Sequence, residues 1–143
     1  IVDNNMLFQL TSAAKSGVDV RIITPEIPDK KTVHFTTRSY YRPLIDAGVR
    51  IYEYKDGFML AKTFISDDTV ATVGTVNLDF RSLYLHFECG TCIYENPSVT
   101  KAMEKDFLET QEKSHLITAE DCKKYAKFGR LLNRLLRLFA PLM

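Results

Sequence analysis

The chain has 143 residues, of which 45% are hydrophobic and 26% are charged, and these proportions exclude a disordered or low-complexity protein. No apolar run reaches the ~20 residues that a membrane-spanning helix needs, which excludes a polytopic membrane protein for these residues. The formal net charge of +1 is unevenly distributed. Residues 1–121 have 13 bases and 18 acids, whereas the tail from Cys122 has six bases and no acid. This basic tail favours a polyanionic partner such as phospholipid or nucleic acid.

The first third of the chain alternates between helical and strand patterns. Apolar residues at helical spacing predict a helix from Met6 to Ser16, and β-branched residues predict a strand over residues 18–23. A second helical pattern runs from Thr32 to Ala47, in which Pro43 predicts a kink or a break. A second strand is predicted over residues 49–54.

The middle of the chain is predicted to be mostly strand. Residues 58–65 and 69–74 are apolar and β-prone, and the Ser66–Asp68 segment between them predicts a hairpin. The stretch 78–83 is ambiguous. Residues 85–94 are apolar enough to predict a further strand in the centre of the sheet.

Two helices are predicted to follow. Asn96 can cap a helix that starts at Pro97 and runs to about Lys113, and the Thr118 hydroxyl can cap a second one. The predicted fold is therefore one α/β domain over residues 1–121, with a mixed β-sheet flanked by helices. Residues 122–143 follow it as a C-terminal amphipathic helix.

Three cysteines, an odd number without a preceding secretory signal, predict free thiols in a reducing compartment. Cys89 and Cys92 form a C-x-x-C pair. Because no second pair of ligands stands at zinc spacing, we expect buried apolar thiols there and no metal site.

Lys62 is the unusual residue of the third predicted strand. A buried ammonium is costly and normally has an anionic partner, but Asp67 falls on the other strand face or in the turn. Thr75 and Asn77, which follow the fourth strand, offer a hydroxyl and an amide. With Lys62 they are the groups needed to hold phosphate oxygens. The alternative is a lysine that extends to the sheet edge without binding anything.

These residues match a known motif. Lys62, Asp67, Gly74, Thr75 and Asn77 agree with all but the first residue of the H-x-K-x-x-x-x-D…G-[ST]-x-N motif of the phospholipase D superfamily. Nearly the whole chain resembles the C-terminal half of bacterial cardiolipin synthases. That resemblance implies a phosphatidyltransferase that joins two phosphatidylglycerol molecules, releases glycerol, proceeds through a phosphohistidine and uses no cofactor.

The chain departs from the motif at its first position, where Leu60 stands in place of the histidine. In the family, one imidazole is thought to attack the phosphodiester, and another, from an upstream copy of the motif, protonates the leaving alcohol. Leucine has neither a lone pair nor an acidic proton, so it can do neither. We therefore expect the chain by itself to be inactive.

The resemblance also implies roles for the other motif residues. Lys62 would anchor phosphate, with Thr75 and Asn77 donating to its oxygens, and Asp67 would be structural. Glu88 would correspond to the acid that orients a catalytic imidazole.

The chain has three histidines, and each is examined for a catalytic role in place of the missing motif histidine. His86 stands where the cardiolipin synthases more often have asparagine, and we expect it to be paired with Glu88. A nucleophilic role for His86 is the less favoured alternative. His34 and His115 lie on predicted helices without a carboxylate motif, so we expect surface or partly buried roles.

The last residues predict a strongly amphipathic helix, because Arg130, Asn133, Arg134 and Arg137 share one arc and leucines fill the other. Two interpretations stay open. The helix lies in an anionic membrane surface, or it packs on its own domain or on the upstream half.

The leading hypothesis is the second catalytic half of a cardiolipin synthase. Its predicted partners are phosphatidylglycerol, an upstream half with the first motif and a membrane surface, with no nucleic acid. The opening Ile1 indicates a piece of a longer protein. The resemblance implies that the full-length protein lies at the bacterial cytoplasmic membrane, and we expect the piece itself to be soluble or membrane-peripheral. The alternatives are a non-catalytic phosphodiester- or lipid-binding module and a dimeric single-motif nuclease. Leu60 disfavours the nuclease, because a symmetric dimer would have no motif histidine.

Overall fold

A computed structural model describes residues 2–27 and 30–127. The helices and strands in these residues are, in chain order, α1 (Asn4–Lys15), β1 (Arg21–Pro25), α2 (Lys31–Ser39), α3 (Tyr41–Asp46), β2 (Arg50–Tyr54), β3 (Thr63–Ser66), β4 (Val70–Gly74), α4 (Phe80–Tyr84), β5 (Gly90–Tyr94), α5 (Pro97–Glu112), β6 (Ser114–Leu116) and α6 (Ala119–Lys127).

The strands form two three-stranded sheets in the described residues. In the first sheet β2 lies between β1, to which it is parallel, and β6, to which it is antiparallel. The second sheet is antiparallel in the order β3-β4-β5. The mixed α/β fold is confirmed. The central position predicted for residues 85–94 is wrong, because β5 begins only at Gly90 and pairs on one side, with β4.

The hydrophobic core covers one face of the first sheet. Six buried residues form it, and half-buried side chains of α1 and β1 pack against them. The buried six are Tyr41, Leu44, Val49, Ile51, Ile117 and Cys122. They come from α3, from β2 and the residue before it, from the residue after β6 and from α6, so α6 closes the core that α1 and α3 begin.

Local sequence rules placed several boundaries correctly. The predicted hairpin is confirmed: Asp67 and Asp68 have φ values of 50° and 55°, as a two-residue type I′ turn requires, and the Thr69 N–H donates to the Ser66 carbonyl. The side chain of Asn96 accepts from the Val99 N–H at the start of α5, and the Thr118 hydroxyl accepts from the Asp121 N–H at the start of α6.

One predicted break is displaced and one predicted strand is shortened. The break predicted in the helical stretch 32–47 is confirmed, but it lies at Tyr40, and Pro43 lies in the first turn of α3, where its missing N–H costs nothing. The third strand starts at Thr63, later than predicted. The Gly74 N–H of β4 still donates to the Lys62 carbonyl at 3.2 Å, so Lys62 lies directly at the end of the β3–β4 pairing.

The predicted C-terminal helix lies only partly within the described residues. Residues 122–127 belong to α6, where Cys122 is buried in the core and Tyr125 packs against it. Residues 128–143, which include the four polar residues of the predicted arc, lie outside the described residues. Among those described, no helix combines the length and apolar character needed to cross a bilayer.

A buried ion pair links α2, α3, β2 and α6. The Arg38 guanidinium donates to both carboxylate oxygens of Glu53, at 2.8 and 2.6 Å, and Tyr41 donates to one of them at 3.0 Å. Arg38 also lies over the ring of Tyr125, 4.1 Å from its centroid. Glu53 is only 2% exposed. Burial, helped by the nearby Glu53 charge, raises the pKa of Tyr41 well above its ordinary value.

Candidate functional site

The glycine of the motif allows β4 and β5 to approach closely. Gly74 pairs with Gly90, and a Cβ at Gly74 would lie 2.5 Å from the Cys89 carbonyl oxygen and 2.6 Å from the Gly90 Cα. Such distances are far inside van der Waals contact. Because glycine has no Cβ, Thr75 can follow directly against Cys89: its N–H donates to the Cys89 carbonyl, and its hydroxyl accepts from the Cys89 N–H.

Gly74→Ala should therefore lower the free energy of unfolding by about 1–3 kcal/mol, the usual cost of overpacking. Gly57→Ala is the matched control, since a Cβ there meets only the Tyr54 ring at 3.9 Å. Urea unfolding of both variants measures the difference. Equal stabilities would show that the close approach of β4 and β5 is not required.

Glu88 is held by hydroxyl donors. The Thr75 hydroxyl donates to Glu88 Oε2, and Ser82 supplies a second hydrogen bond. The Thr75 hydrogen bond is the main reason that the pKa of Glu88 lies below its ordinary value, and the Ser82 hydrogen bond and the nearby charges of His86 and Lys62 act in the same direction. Glu88 is thus a fixed carboxylate.

His86 lies between Glu88 and an arginine. Its Nδ1 is 3.8 Å from Glu88 Oε1, and its Nε2 is 3.0 Å from Nη2 of Arg81 and 3.3 Å from Nε of Arg81. The expected pairing of His86 with Glu88 is confirmed as a close electrostatic contact, longer than a hydrogen bond. The Nε2 atom that a nucleophile would use faces Arg81.

Lys62 lies just before β3 and is half-buried. Its ammonium donates to the Leu60 carbonyl at 2.9 Å, and none of the carboxylates in residues 2–27 or 30–127 forms an ion pair with it. The anionic partner that we expected within the protein is therefore not found in the described part. The Leu60 side chain is 65% exposed.

Most of the predicted residues line one broad concavity, and Thr75 is the exception. Leu60, Lys62, Asp67, Asn77 and Glu88 all line it, as do His86 and Arg81. Asp67 occupies the tip of the β3–β4 hairpin, so the four residues of β3, about 13 Å of strand, separate it from Lys62.

Exposed apolar side chains accompany these polar groups. Leu60 precedes Lys62 by two residues, while Leu85 and the fully exposed Phe87 flank His86. Exposed apolar side chains of this size beside cationic groups are typical of a surface that meets an amphipathic ligand or another protein.

Sequence analysis missed α4, which carries Arg81 and Ser82. The Asp79 side chain accepts from the Ser82 N–H at 2.7 Å and caps this short helix. An aspartate three residues before the accepted N–H is a recognisable N-cap pattern, so the ambiguous stretch 78–83 did contain the relevant information.

The cysteines and His115 differ from the prediction, whereas the helical, partly buried position predicted for His34 is confirmed. Cys89 and Cys92 are exposed, not buried, because they lie at or near the edge strand β5, and only Cys122 is buried among the three free thiols. Within the described residues no group of three metal-ligating side chains is present. His115 lies on β6, not on a helix, 3.6 Å from Asp121. His34 lies on α2, where burial lowers its pKa.

Comparison with known proteins gives a consistent family. The family model described as "Cardiolipin synthase, PLD-like domain" matches residues 1–110. Cardiolipin synthase 2 of Bacillus cereus is 40% identical over all 143 residues, and the cardiolipin synthase of Alkalihalophilus pseudofirmus is 42% identical. An uncharacterized protein of Streptococcus mutans is 45% identical over the same length. The chain spans only 28–31% of the length of these relatives.

The fold is similar to that of a solved phospholipase D family member. This protein, Nuc from Salmonella typhimurium, superimposes with a TM-score of 0.72 over 83% of this chain and 77% of its own. The two sequences are 16% identical, so this likeness concerns the fold alone.

Proposed function

The chain belongs to the cardiolipin synthase family of phospholipase D-like domains, and we propose that it is the second catalytic half of a phosphatidyltransferase that makes cardiolipin from two phosphatidylglycerols. The site residues matched to the motif support this proposal, as do relatives that carry this name over the full length of the chain. The upstream half with the first motif, phosphatidylglycerol and a membrane surface are its proposed partners, with no nucleic acid.

One observation carries the proposal. The Lys62 ammonium and the exposed Asn77 amide line one concavity, neither is paired with a carboxylate among the described residues, and the exposed Leu60 side chain lines the same concavity. A phosphodiester with attached apolar chains needs this combination, because its charged head requires donors and its tails require apolar surface.

In the proposed reaction, a histidine attacks phosphorus, the bond from phosphorus to the glycerol oxygen breaks, and that oxygen takes a proton from a second histidine. The terminal hydroxyl of another phosphatidylglycerol then attacks phosphorus, gives its proton back to the second histidine and displaces the first histidine. Lys62 and Asn77 would hold the non-bridging oxygens during both steps. Thr75 would join them only by turning its hydroxyl proton away from Glu88, so it is the weaker ligand. Leu60 supplies no imidazole to either step.

Inorganic phosphate tests the site in the 143-residue chain. A titration followed by NMR should shift the resonances of Lys62, Asn77 and their neighbours, and Lys62→Ala should abolish these shifts because it removes the cation. Asp67→Ala is the matched control, since the four residues of β3 separate the hairpin tip from Lys62, and it should lower stability while binding persists. Shifts confined to residues 128–143 would contradict the site.

A second candidate function is a phosphodiester-binding module that has lost catalysis, and the observation that favours it is Leu60. This module would bind anionic lipid as the first candidate does. The two candidates differ in turnover by the full-length protein, which the effect of Leu60→His on cardiolipin formation measures.

A further inference from the structure

Arg81 makes an unusual contact, in which two of its nitrogens meet a single histidine nitrogen. Nη2 and Nε of Arg81 lie 3.0 and 3.3 Å from Nε2 of His86. A guanidinium has only donors, so Nε2 must be the acceptor, and the ring proton of His86 is placed on Nδ1. The geometry thereby fixes one tautomer of His86.

The protonated side of the His86 ring faces a fixed carboxylate. Nδ1 lies 3.8 Å from Glu88 Oε1, and Glu88 is itself held by the hydroxyls of Thr75 and Ser82. The backbone adds to this arrangement, because the N–H groups of Leu85 and His86 both donate to the Arg81 carbonyl at 2.9 Å. These backbone bonds fix the turn that brings His86 beside the Arg81 side chain.

Most of the donor capacity of Arg81 is unused in the described residues. Its side chain is exposed, five N–H donors are available, and no carboxylate in residues 2–27 or 30–127 forms an ion pair with it. Arg81 lines the same concavity as Lys62 and Asn77. A planar guanidinium can bind two oxygens of one phosphate, which a lysine cannot do.

We infer that Arg81 is a further ligand of the phosphate at this site and that His86 is its positioning residue. The inference rests on the proposed function and extends it, since it assigns Arg81 and His86 to the recognition of a phosphodiester. His86 acts here through its Nε2 lone pair as an acceptor, not as a nucleophile.

The experiment measures inorganic phosphate affinity by NMR titration of the 143-residue chain and four variants. Arg81→Gln removes the charge and should weaken binding about tenfold or more. His86→Leu removes the acceptor and should weaken binding by a smaller factor. His86→Asn keeps an acceptor oxygen and should restore affinity to within about twofold of the parent, a rescue that a packing role would not produce. Lys62→Ala is the reference for the site itself.

The ¹⁵N resonances of the His86 ring supply the second measurement. We expect a proton on Nδ1 and none on Nε2, and Arg81→Gln should shift the Nε2 resonance. Unchanged phosphate affinity in Arg81→Gln, together with loss in Lys62→Ala, would overturn this inference and leave the proposed site intact. A proton on Nε2 would also overturn it. No phosphate binding by the parent chain would overturn both the proposed site and this inference.

Discussion

Leu60→His in the full-length protein should raise the rate of cardiolipin formation from phosphatidylglycerol vesicles by at least about 10³-fold, because it supplies an imidazole for attack or proton transfer. The Leu60 side chain is 65% exposed, so histidine fits without repacking the core. Cardiolipin and glycerol, measured together, report the turnover. Phosphate affinity should stay unchanged, since Lys62 and Asn77 are untouched.

Leu60→Gln tests whether the increase in turnover requires an imidazole or only a polar side chain at this position. Glutamine has a similar size and is polar, but it neither attacks phosphorus nor transfers a proton, so this variant should be as slow as the parent. Equal turnover of the leucine and histidine proteins would contradict the proposed chemistry and favour the non-catalytic binding module.

Arg38→Ala should cause a large loss of stability, about 3–5 kcal/mol, since it leaves the Glu53 carboxylate buried without its cation. The side chains of Arg38 and Glu53 are 18% and 3% exposed. The variant also loses the contact between Arg38 and the Tyr125 ring, which connects α6 to α2. Urea unfolding of the 143-residue chain measures the change.

An exposed ion pair on the neighbouring helix is the matched control. Arg42 and Asp46 lie four residues apart on α3 with about half of each side chain exposed, so Arg42→Ala should cause a much smaller loss of stability, because water screens this pair. Replacing both buried partners, as Arg38→Met with Glu53→Leu, should recover much of the loss, because no unpaired charge is left. Similar costs for Arg38→Ala and Arg42→Ala would refute the role of burial.

Local rules predicted the elements whose ends are set by nearby residues. The Asn96 cap, the Thr118 cap and the two-residue turn at Asp67 each involve groups within a few positions of one another, and all three are confirmed. Contacts between distant residues were not predictable in this way. The break at Tyr40 and the late start of β3 depend on which neighbours the backbone meets.

The candidate site shows the same division. Sequence analysis singled out Lys62, Thr75 and Asn77 by residue type and motif spacing, and it paired His86 with Glu88. It could not find the Arg81–His86 contact, because that contact depends on a five-residue helix that turns the chain back on itself. The sequence also predicted an anionic partner for Lys62. This partner is unnecessary, because Lys62 is only half-buried just before β3 and its ammonium donates to the Leu60 carbonyl.

By itself, then, the sequence determined the family, the α/β class, the loss of the motif histidine and the short-range caps and turns, since these depend on residue identity and local spacing. The tertiary structure decided which side chains meet: the Arg38–Glu53 pair from α2 and β2, the Gly74–Gly90 approach and the exposed Cys92 on the edge strand. These features depend on pairing between segments far apart in the chain. Their partners are chosen by packing and burial, which local spacing along the sequence does not encode.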